Sequence, residues 1–192
     1  SEMCIRDREW ADGIGLSTAR VDQWYLKKEN YGETVAWLYA DSSADFPSGD
    51  YAPNSRVDYW QYKAGVFFIR NYSTAAGDDI PTLCATRLVG DAMSTECLVE
   101  GIEDMQIEFG VDTDADSVPN RYLDAPTAAQ MNDVVTARIY LLMRSLAEVP
   151  GYENDNVYTL GQKAAYTASD GYMRRIFSTT VLTRNAILPA IN

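Results

Sequence analysis

The sequence predicts a domain built mainly from antiparallel β-strands. Several segments alternate apolar and polar residues with a period of two, which is typical of strands with one buried face. These segments are rich in Val, Tyr, Trp and Phe, the residue types that suit a pleated surface. No segment shows the pattern of a long amphipathic helix. The chain of 192 residues can bury one substantial core, so we interpret residues 1–192 as a single domain.

The candidate strands are spread along the chain. Residues 33–40 form one, and residues 56–62 with 65–72 form a hairpin. Residues 1–33 show no sustained period and are predicted to be loop, with at most a short helical turn. Residues 133–146 are the longest apolar segment, and their alternation predicts a strand in the middle of a sheet. A helix remains the alternative there, because Ala, Leu, Met and Arg propagate helices well.

The last predicted strand covers residues 172–185. Its alternation predicts that Met173, Phe177 and Val181 face inward. Arg174 is then expected to face outward. With Arg175 it is interpreted as a pair of residues on the strand surface, in preference to a ligand clamp.

The chain contains three cysteines, an odd number that cannot all pair within it. If the segments LCATRLV and AMSTECL pair across a two-residue turn at Gly90 and Asp91, Cys84 falls directly opposite Cys97. We therefore predict a Cys84–Cys97 disulfide, which indicates an oxidising compartment such as the periplasm. Two unpaired thiols are the alternative. Cys4 is left to pair elsewhere or to stay free.

An acidic loop follows the strand that ends near residue 111. Carboxylates at every second position, followed by Val118 and Asn120, come close to the ligand order of a twelve-residue calcium loop. Hard carboxylate oxygens at this spacing can surround one cation. The predicted calcium ligands are the side chains of Asp112, Asp114, Asp116, Asn120 and Asp124 and the backbone carbonyl of Val118.

The loop departs from the calcium pattern at two positions. Leu123 stands where a bidentate Glu is expected, so Asp124 is the nearest substitute. Ser117 stands where the sharp turn of such loops has a glycine. The alternative interpretation is therefore a solvated acidic turn that binds no ion tightly.

Composition excludes several classes of function. The net charge of −12 argues against nucleic-acid binding, which needs clustered Lys and Arg. The chain has no histidine, so triads built on histidine and the commonest zinc ligand are excluded. No phosphate-binding glycine loop and no nucleophile-elbow motif are present. A hydrolase that uses two carboxylates remains open, although 28 acidic residues make a chance pair easy to find.

An aromatic cluster accompanies the predicted hairpin at residues 56–72. We expect its alternate members to form part of the core and the others to cover a sheet face or a partner interface. A sugar-binding platform is the alternative. The cluster consists of Tyr51, Tyr59, Trp60, Tyr62, Phe67, Phe68 and Tyr72.

A resemblance appears in the second half of the chain. The segments LVEGIEDMQIEFGVDTDADSVPNRY, VVTARIYLLMRS, PGYENDNVYTLG and DGYMRRIFSTTVLTRN occur in this order over residues 98–185. Together they resemble the C-terminal half of the PilW-type minor pilins of type IV pili. The segment VFFIRNYSTAAGDDIPTLCATRL resembles the same family more loosely, and residues 1–55 add little.

The resemblance implies a fold, a function and a location. The fold class is α+β, predominantly antiparallel β: a pilin-like globular head whose hydrophobic N-terminal anchoring helix is absent from the chain. The function is non-catalytic help in initiating or capping the pilus, which supports twitching motility and surface adhesion. The expected partners are other minor pilins, a tip adhesin and the major pilin. The expected location is the periplasmic face of the inner membrane and the pilus tip of a Gram-negative bacterium.

Two alternative functions come from other classes. A minor pseudopilin of type II secretion is a close relative of the pilus interpretation. A calcium-dependent adhesin or carbohydrate-binding β-sandwich module would use the aromatic cluster and the acidic loop.

Overall fold

The computed structural model describes residues 5–6, 21–29, 34–51 and 56–183. The chain divides into two compact units. The first unit contains residues Ser1–Phe67 and Ala85–Glu96, and the second contains Phe68–Cys84 and Cys97–Asn192. Within the described ranges, no helix is long and apolar enough to cross a membrane.

The predicted α+β class is wrong. The described residues form antiparallel strands and three short 3-10 turns, and none of them lies in an α-helix. The turns are Ser43–Asp45, Ser48–Tyr51 and Gln130–Asp133. The physical reason is the spacing of the apolar residues, which recur at a period of two and seldom at the spacing of a helix face. The helix in the predicted class came from the resemblance alone.

The first unit contains a four-stranded antiparallel sheet. Its strands are β1 (Ile5–Arg6), β2 (Gln23–Glu29), β3 (Thr34–Ala40) and β4 (Val57–Lys63). Their order across the sheet is β1-β4-β2-β3, so β3 lies at an edge. The strand predicted at residues 33–40 is confirmed as β3. The loop predicted over residues 1–33 is wrong at β1 and at β2, where Trp, Tyr and Leu follow one another and hide the alternation. Residues 1–4, 7–20 and 30–33 lie outside the described residues.

One face of this sheet carries an aromatic core. Tyr25, Phe46 and Tyr59 are buried, and their rings meet edge to face at centroid distances of 5.1 to 6.3 Å. Phe46 reaches the sheet from the 3-10 turn that follows β3, and only 2% of its surface is exposed. Edge-to-face rings of this kind add to the burial of apolar area.

A three-stranded sheet contains the cysteine hairpin. Its strands, in the order β5-β6-β7, are β5 (Gly65–Arg70), β6 (Thr82–Val89) and β7 (Ala92–Glu100). The turn residue Gly90 has a φ of +62°, a left-handed conformation that glycine adopts freely. The hydroxyl groups of Thr86 and Thr95 lie 2.7 Å apart across the hairpin. The structure contains the Cys84–Cys97 disulfide that this register predicts.

The second unit contains the other large sheet. Its strands are β8 (Ile102–Val111), β9 (Arg121–Leu123), β10 (Val134–Arg144) and β13 (Arg174–Leu182), in the antiparallel order β13-β10-β8-β9. Two short strands, β11 (Val157–Tyr158) and β12 (Tyr166–Thr167), form a separate pair. The strand predicted at residues 133–146 is confirmed as β10, since it pairs with β8 on one side and β13 on the other.

The predicted orientation of the last strand is wrong. Met173, Phe177 and Val181 are 53%, 45% and 44% exposed. The Arg174 side chain, expected to face outward, is only 1% exposed. The reason is that Arg174 is paired with two half-buried carboxylates, which period-two hydrophobicity alone cannot reveal.

Candidate functional site

The acidic loop is the connection between β8 and β9. Val111 at the end of β8 pairs with Arg121 at the start of β9. The Asn120 N–H donates to the carbonyl of Val111 at 2.9 Å, and the Asp112 N–H donates to the carbonyl of Asp133 at 2.9 Å. These bonds fix both ends of the loop to the sheet.

Three carboxylates of this loop come together. Ligand oxygens of Asp112, Asp114 and Asp116 all lie within 4.8 Å of one another. Oxygens bound to one calcium ion at about 2.3 to 2.6 Å are separated by distances of this order. Asp112 is buried, whereas Asp114 and Asp116 are exposed.

Backbone N–H groups already occupy the Asp112 carboxylate. Its Oδ1 accepts from the N–H of Asp114 at 3.1 Å and of Ala115 at 2.8 Å, and its Oδ2 accepts from Ser117 at 2.7 Å. Burial raises the pKa of Asp112, but hydrogen bonds from Ser117, Asp114 and Ala115 outweigh it and hold the pKa below its ordinary value. The group therefore stays ionised at neutral pH and organises the loop by itself.

The backbone makes the turn that a calcium loop needs, without the glycine. Ser117 has a φ of +68° and Ala115 a φ of +63°. Left-handed conformations are unfavourable for residues with a Cβ, so the loop stores some strain at both positions. The three hydrogen bonds to Asp112 offset it, because two of their donors are these same residues.

The other predicted ligands lie elsewhere. Asn120 Oδ1 accepts from the N–H of Thr113 at 2.6 Å, and Asn120 Nδ2 donates to Asp114 at 3.3 Å. The N–H of Val118 donates to Asp116 at 2.8 Å. Asp124 follows β9 and is not part of the three-carboxylate group. The donor set thus fits a cation held by three carboxylates and completed by water, a weaker arrangement than a closed calcium loop.

A second charged cluster lies at the other end of the same sheet. The Arg174 guanidinium donates to Glu103 at 2.6 and 2.9 Å and to Asp170 at 2.6 and 2.7 Å, so both contacts are bidentate. Hydrogen bonds that Arg174 donates to Asp170 and Glu103 raise its pKa above the ordinary value. The guanidinium joins β8, β13 and the loop that precedes β13.

Arg144, at the end of β10, lies beside this cluster. Its guanidinium lies over the ring of Tyr172 at 4.0 Å from the centroid, a cation–π contact. One of its nitrogens is 3.9 Å from Glu103, and another donates to the carbonyl of Asp79. Two arginines therefore share Glu103.

Asn154 holds the loop between β10 and β13. The side chain is fully buried, and its Nδ2 donates to the carbonyl of Tyr172 at 2.8 Å. Its backbone N–H donates to the carbonyl of Asp170 at 2.7 Å. Its Oδ1 accepts from the N–H of Asn156 at 3.1 Å. The segments PGYENDNVYTLG and DGYMRR are thus bound to each other through Asn154.

A shallow cleft next to the cluster of Arg174, Glu103 and Asp170 is the candidate site for catalysis by carboxylates. It has a volume of about 660 Å³ and is lined by residues 148–153 with Asp170 and Gly171. The hydrogen bond from Arg174 lowers the pKa of Asp170, more than burial raises it. A general acid needs a raised pKa, so Asp170 is unsuited to that role at neutral pH.

The predicted aromatic cluster divides between locations. Tyr59 is in the core of the first unit, whereas Tyr62 lies on the other face of the sheet, with its ring 5.0 Å from that of Trp37. Tyr72 stacks under Arg70 at 4.1 Å. The side chain of Tyr51 lies outside the described residues. Tyr59 and Tyr62 therefore do not share one platform, because they lie on opposite faces of the sheet.

Sequence reasoning missed the residues around Arg174. The interpretation of Arg174 and Arg175 as one surface pair is wrong, because neighbouring residues of a strand point to opposite faces. Arg175 is exposed and lies over Phe177 at 5.2 Å. The available signal was Asp170, four residues before Arg174; Glu103, 71 residues away, gave none.

Comparison with known proteins gives one finding. The family model described as PilW, type IV pilus-assembly protein W, matches residues 66–185. Comparison with curated proteins and with solved structures gives no match. The matched residues include the acidic loop, the Arg174 cluster and the disulfide.

Proposed function

The chain belongs to the PilW family of type IV pilus-assembly proteins, and from this we propose that it is a non-catalytic minor pilin. Family membership gives it a role in pilus assembly and a place in the cell envelope or the pilus. In the proposed role the protein initiates or caps the filament and supports twitching motility and surface adhesion. Its partners are other minor pilins, a tip adhesin and the major pilin. It acts at the periplasmic face of the inner membrane and at the pilus tip.

One observation carries the proposal beyond the family match. The segments that first suggested the family supply the buried contacts of Arg174 and Asn154, and their charged groups are paired with each other. Groups engaged in this way hold a sheet and a loop together and are not free to act on a substrate. A subunit that works by packing against other subunits needs this rigidity.

The test is piliation in a strain that lacks the gene. We expect few or no surface pili by electron microscopy and reduced twitching zones, both restored by the wild-type gene. Glu148→Gln and Glu153→Gln, which remove the two free acids of the cleft, are expected to restore pili as well as the wild type does. Normal pilus numbers in the deletion strain would refute the role in assembly. If the two cleft variants fold normally but do not restore pili, the proposed non-catalytic role would be refuted.

We further propose that the acidic loop binds calcium weakly. The supporting observation is the convergence of Asp112, Asp114 and Asp116 within 4.8 Å. Calcium at ten times its dissociation constant would stabilise the protein by about 1.4 kcal/mol and raise the melting temperature accordingly. Asp114→Asn is the informative variant, because Asp114 is exposed and its loss leaves the hydrogen bonds to Asp112 intact.

Calorimetric titration decides between the calcium site and a solvated turn. We expect heat of binding for the wild type and for Asp91→Asn, an exposed control outside the loop, and little heat for Asp114→Asn. Absence of heat together with an unchanged melting temperature would leave the solvated turn as the correct interpretation.

A further inference from the structure

The edge strand β3 lacks the features that usually prevent edge pairing. An edge strand presents a row of unpaired backbone N–H and C=O groups, and natural proteins protect it with charges, prolines or bulges. The sequence of β3, TVAWLYA, contains no charged residue, no proline and no glycine, and its pairing with β2 is regular along all seven residues. No described strand lies on its outer side.

The other edge strands differ from β3. Of the strands that end a described sheet of three or more strands, β3 is the one without a charged residue. The charged residues of the others are Arg6 in β1, Arg70 in β5, Glu96 and Glu100 in β7, Arg121 in β9, and Arg174 and Arg175 in β13.

The exposed side chains of β3 are apolar. Val35 is 51% and Trp37 58% exposed, although one edge of the Trp37 ring meets Tyr62. Thr34 and Ala36 are exposed too, so the first half of the strand is open on both faces. Side chains of an added strand could pack against Val35 and Trp37 while the backbones pair.

The far end of β3 is acidic. Tyr39 lies next to Asp22, Asp41 and Asp91, and its pKa is raised by burial and then by these three negative charges. None of the groups that raise this pKa most is a lysine or an arginine. A partner that reaches this end would gain from a positive charge there.

We propose that β3 is a docking edge for an extended segment of another polypeptide chain, one with alternating apolar side chains and Lys or Arg at its N-terminal end. The pairing is antiparallel, as in the rest of this sheet, which places the N-terminal end of the segment beside Asp41 and Asp91. Backbone hydrogen bonds supply the affinity, and the exposed face of Val35 and Trp37 selects apolar side chains. The inference stands independently of the pilus role.

A second copy of this chain fits the edge less well. Each copy has a net charge of −12, and self-pairing of β3 would bring two such chains together. It would also leave the acidic end of β3 without a positive partner. A glycan would use the ring of Trp37 but would make no use of the backbone edge.

The test is a titration of the isotope-labelled chain followed by backbone amide NMR. The probe is the synthetic peptide Lys-Lys-Thr-Val-Thr-Val-Thr-Val. We expect shifts confined to β3 and its neighbours, and affinity lower by about tenfold or more when the lysines are replaced by glutamates. Methylation of alternate peptide nitrogens removes strand hydrogen bonds and is expected to abolish binding.

Two protein variants locate the site. Trp37→Lys places a charge in the middle of the edge and is expected to abolish the shifts, and Val35→Lys serves as a second variant with the same expectation. Met93→Lys is the matched control, because Met93 is 50% exposed on the edge strand β7, and it is expected to leave binding unchanged. Absence of shifts in β3, binding that survives nitrogen methylation, or concentration-dependent β3 shifts without peptide would each overturn the proposal.

Discussion

Both units bury apolar side chains, and they differ in the further contacts made at those cores. In the first unit, the sheet packs on the rings of Tyr25, Phe46 and Tyr59. In the second unit, the β8–β10–β13 sheet is joined to its long loop by Arg174 and Asn154, through charges and amide hydrogen bonds. Apolar cores accept many residue combinations of similar volume, whereas a bidentate ion pair accepts few. Most of the family match falls in the second unit.

The largest expected effect tests the aromatic side of the comparison. Phe46→Ala removes a side chain that is 2% exposed and is expected to lower the free energy of unfolding by about 4 kcal/mol, because it leaves a cavity between two tyrosine rings. Urea denaturation followed by tryptophan fluorescence measures it. All four tryptophans lie within residues 1–67, so this signal reports the first unit. Trp37→Ala, an exposed aromatic control, is expected to cost less than about 1 kcal/mol.

The next effect tests the ionic side. Arg174→Ala leaves Glu103 and Asp170 without their partner and is expected to cost about 3 kcal/mol. Arg175→Ala, the exposed neighbour, is expected to change stability by less than about 0.5 kcal/mol. Urea denaturation followed by tyrosine circular dichroism compares the two variants. If both substitutions lower the free energy of unfolding equally, the contacts of Arg174 with Glu103 and Asp170 stabilise the fold no more than a surface contact does.

The smallest effect concerns pH. The pKa of Asp170 is lowered by Arg174, so its contribution to stability is present above the unfolded pKa of about 3.9 and is lost as pH falls through the folded pKa. Acid is therefore expected to lower the free energy of unfolding of the wild type more than that of Arg174→Ala. This extra loss is expected to be smaller than the loss that the substitution itself causes at pH 7. Urea denaturation at pH 7 and pH 3 measures the difference. If acid lowers the free energy of unfolding of both proteins equally, the ion pair is not the cause of the acid sensitivity.

Local sequence rules were sufficient for the cysteine hairpin and for β10. The hairpin predicted at residues 56–62 and 65–72 is wrong, because β4 and β5 belong to different sheets. The two-residue turn at Gly90 fixes which residues face each other, so simple counting brings Cys84 opposite Cys97. In β10, eleven residues with β-branched side chains at the start and regular alternation were enough to favour a strand. Both features depend on neighbours in the chain.

Other features depend on distant residues, and the sequence did not reveal them. Glu103 and Arg174 are 71 positions apart, and nothing in either segment marks them as partners. For the acidic loop, sequence spacing correctly grouped Asp112 with Asp114 and Asp116. It could not show that backbone N–H groups would occupy Asp112, because this depends on the left-handed conformations of Ala115 and Ser117.

A double-mutant cycle on Arg174 and Asp170 tests most directly the claim that the DGYMRR segment acts by holding the fold together. Free energies of unfolding are measured for the wild type, Arg174→Ala, Asp170→Ala and the double variant. The bidentate contact predicts a coupling energy of about 2 kcal/mol between the two side chains. A coupling energy near zero would contradict the account.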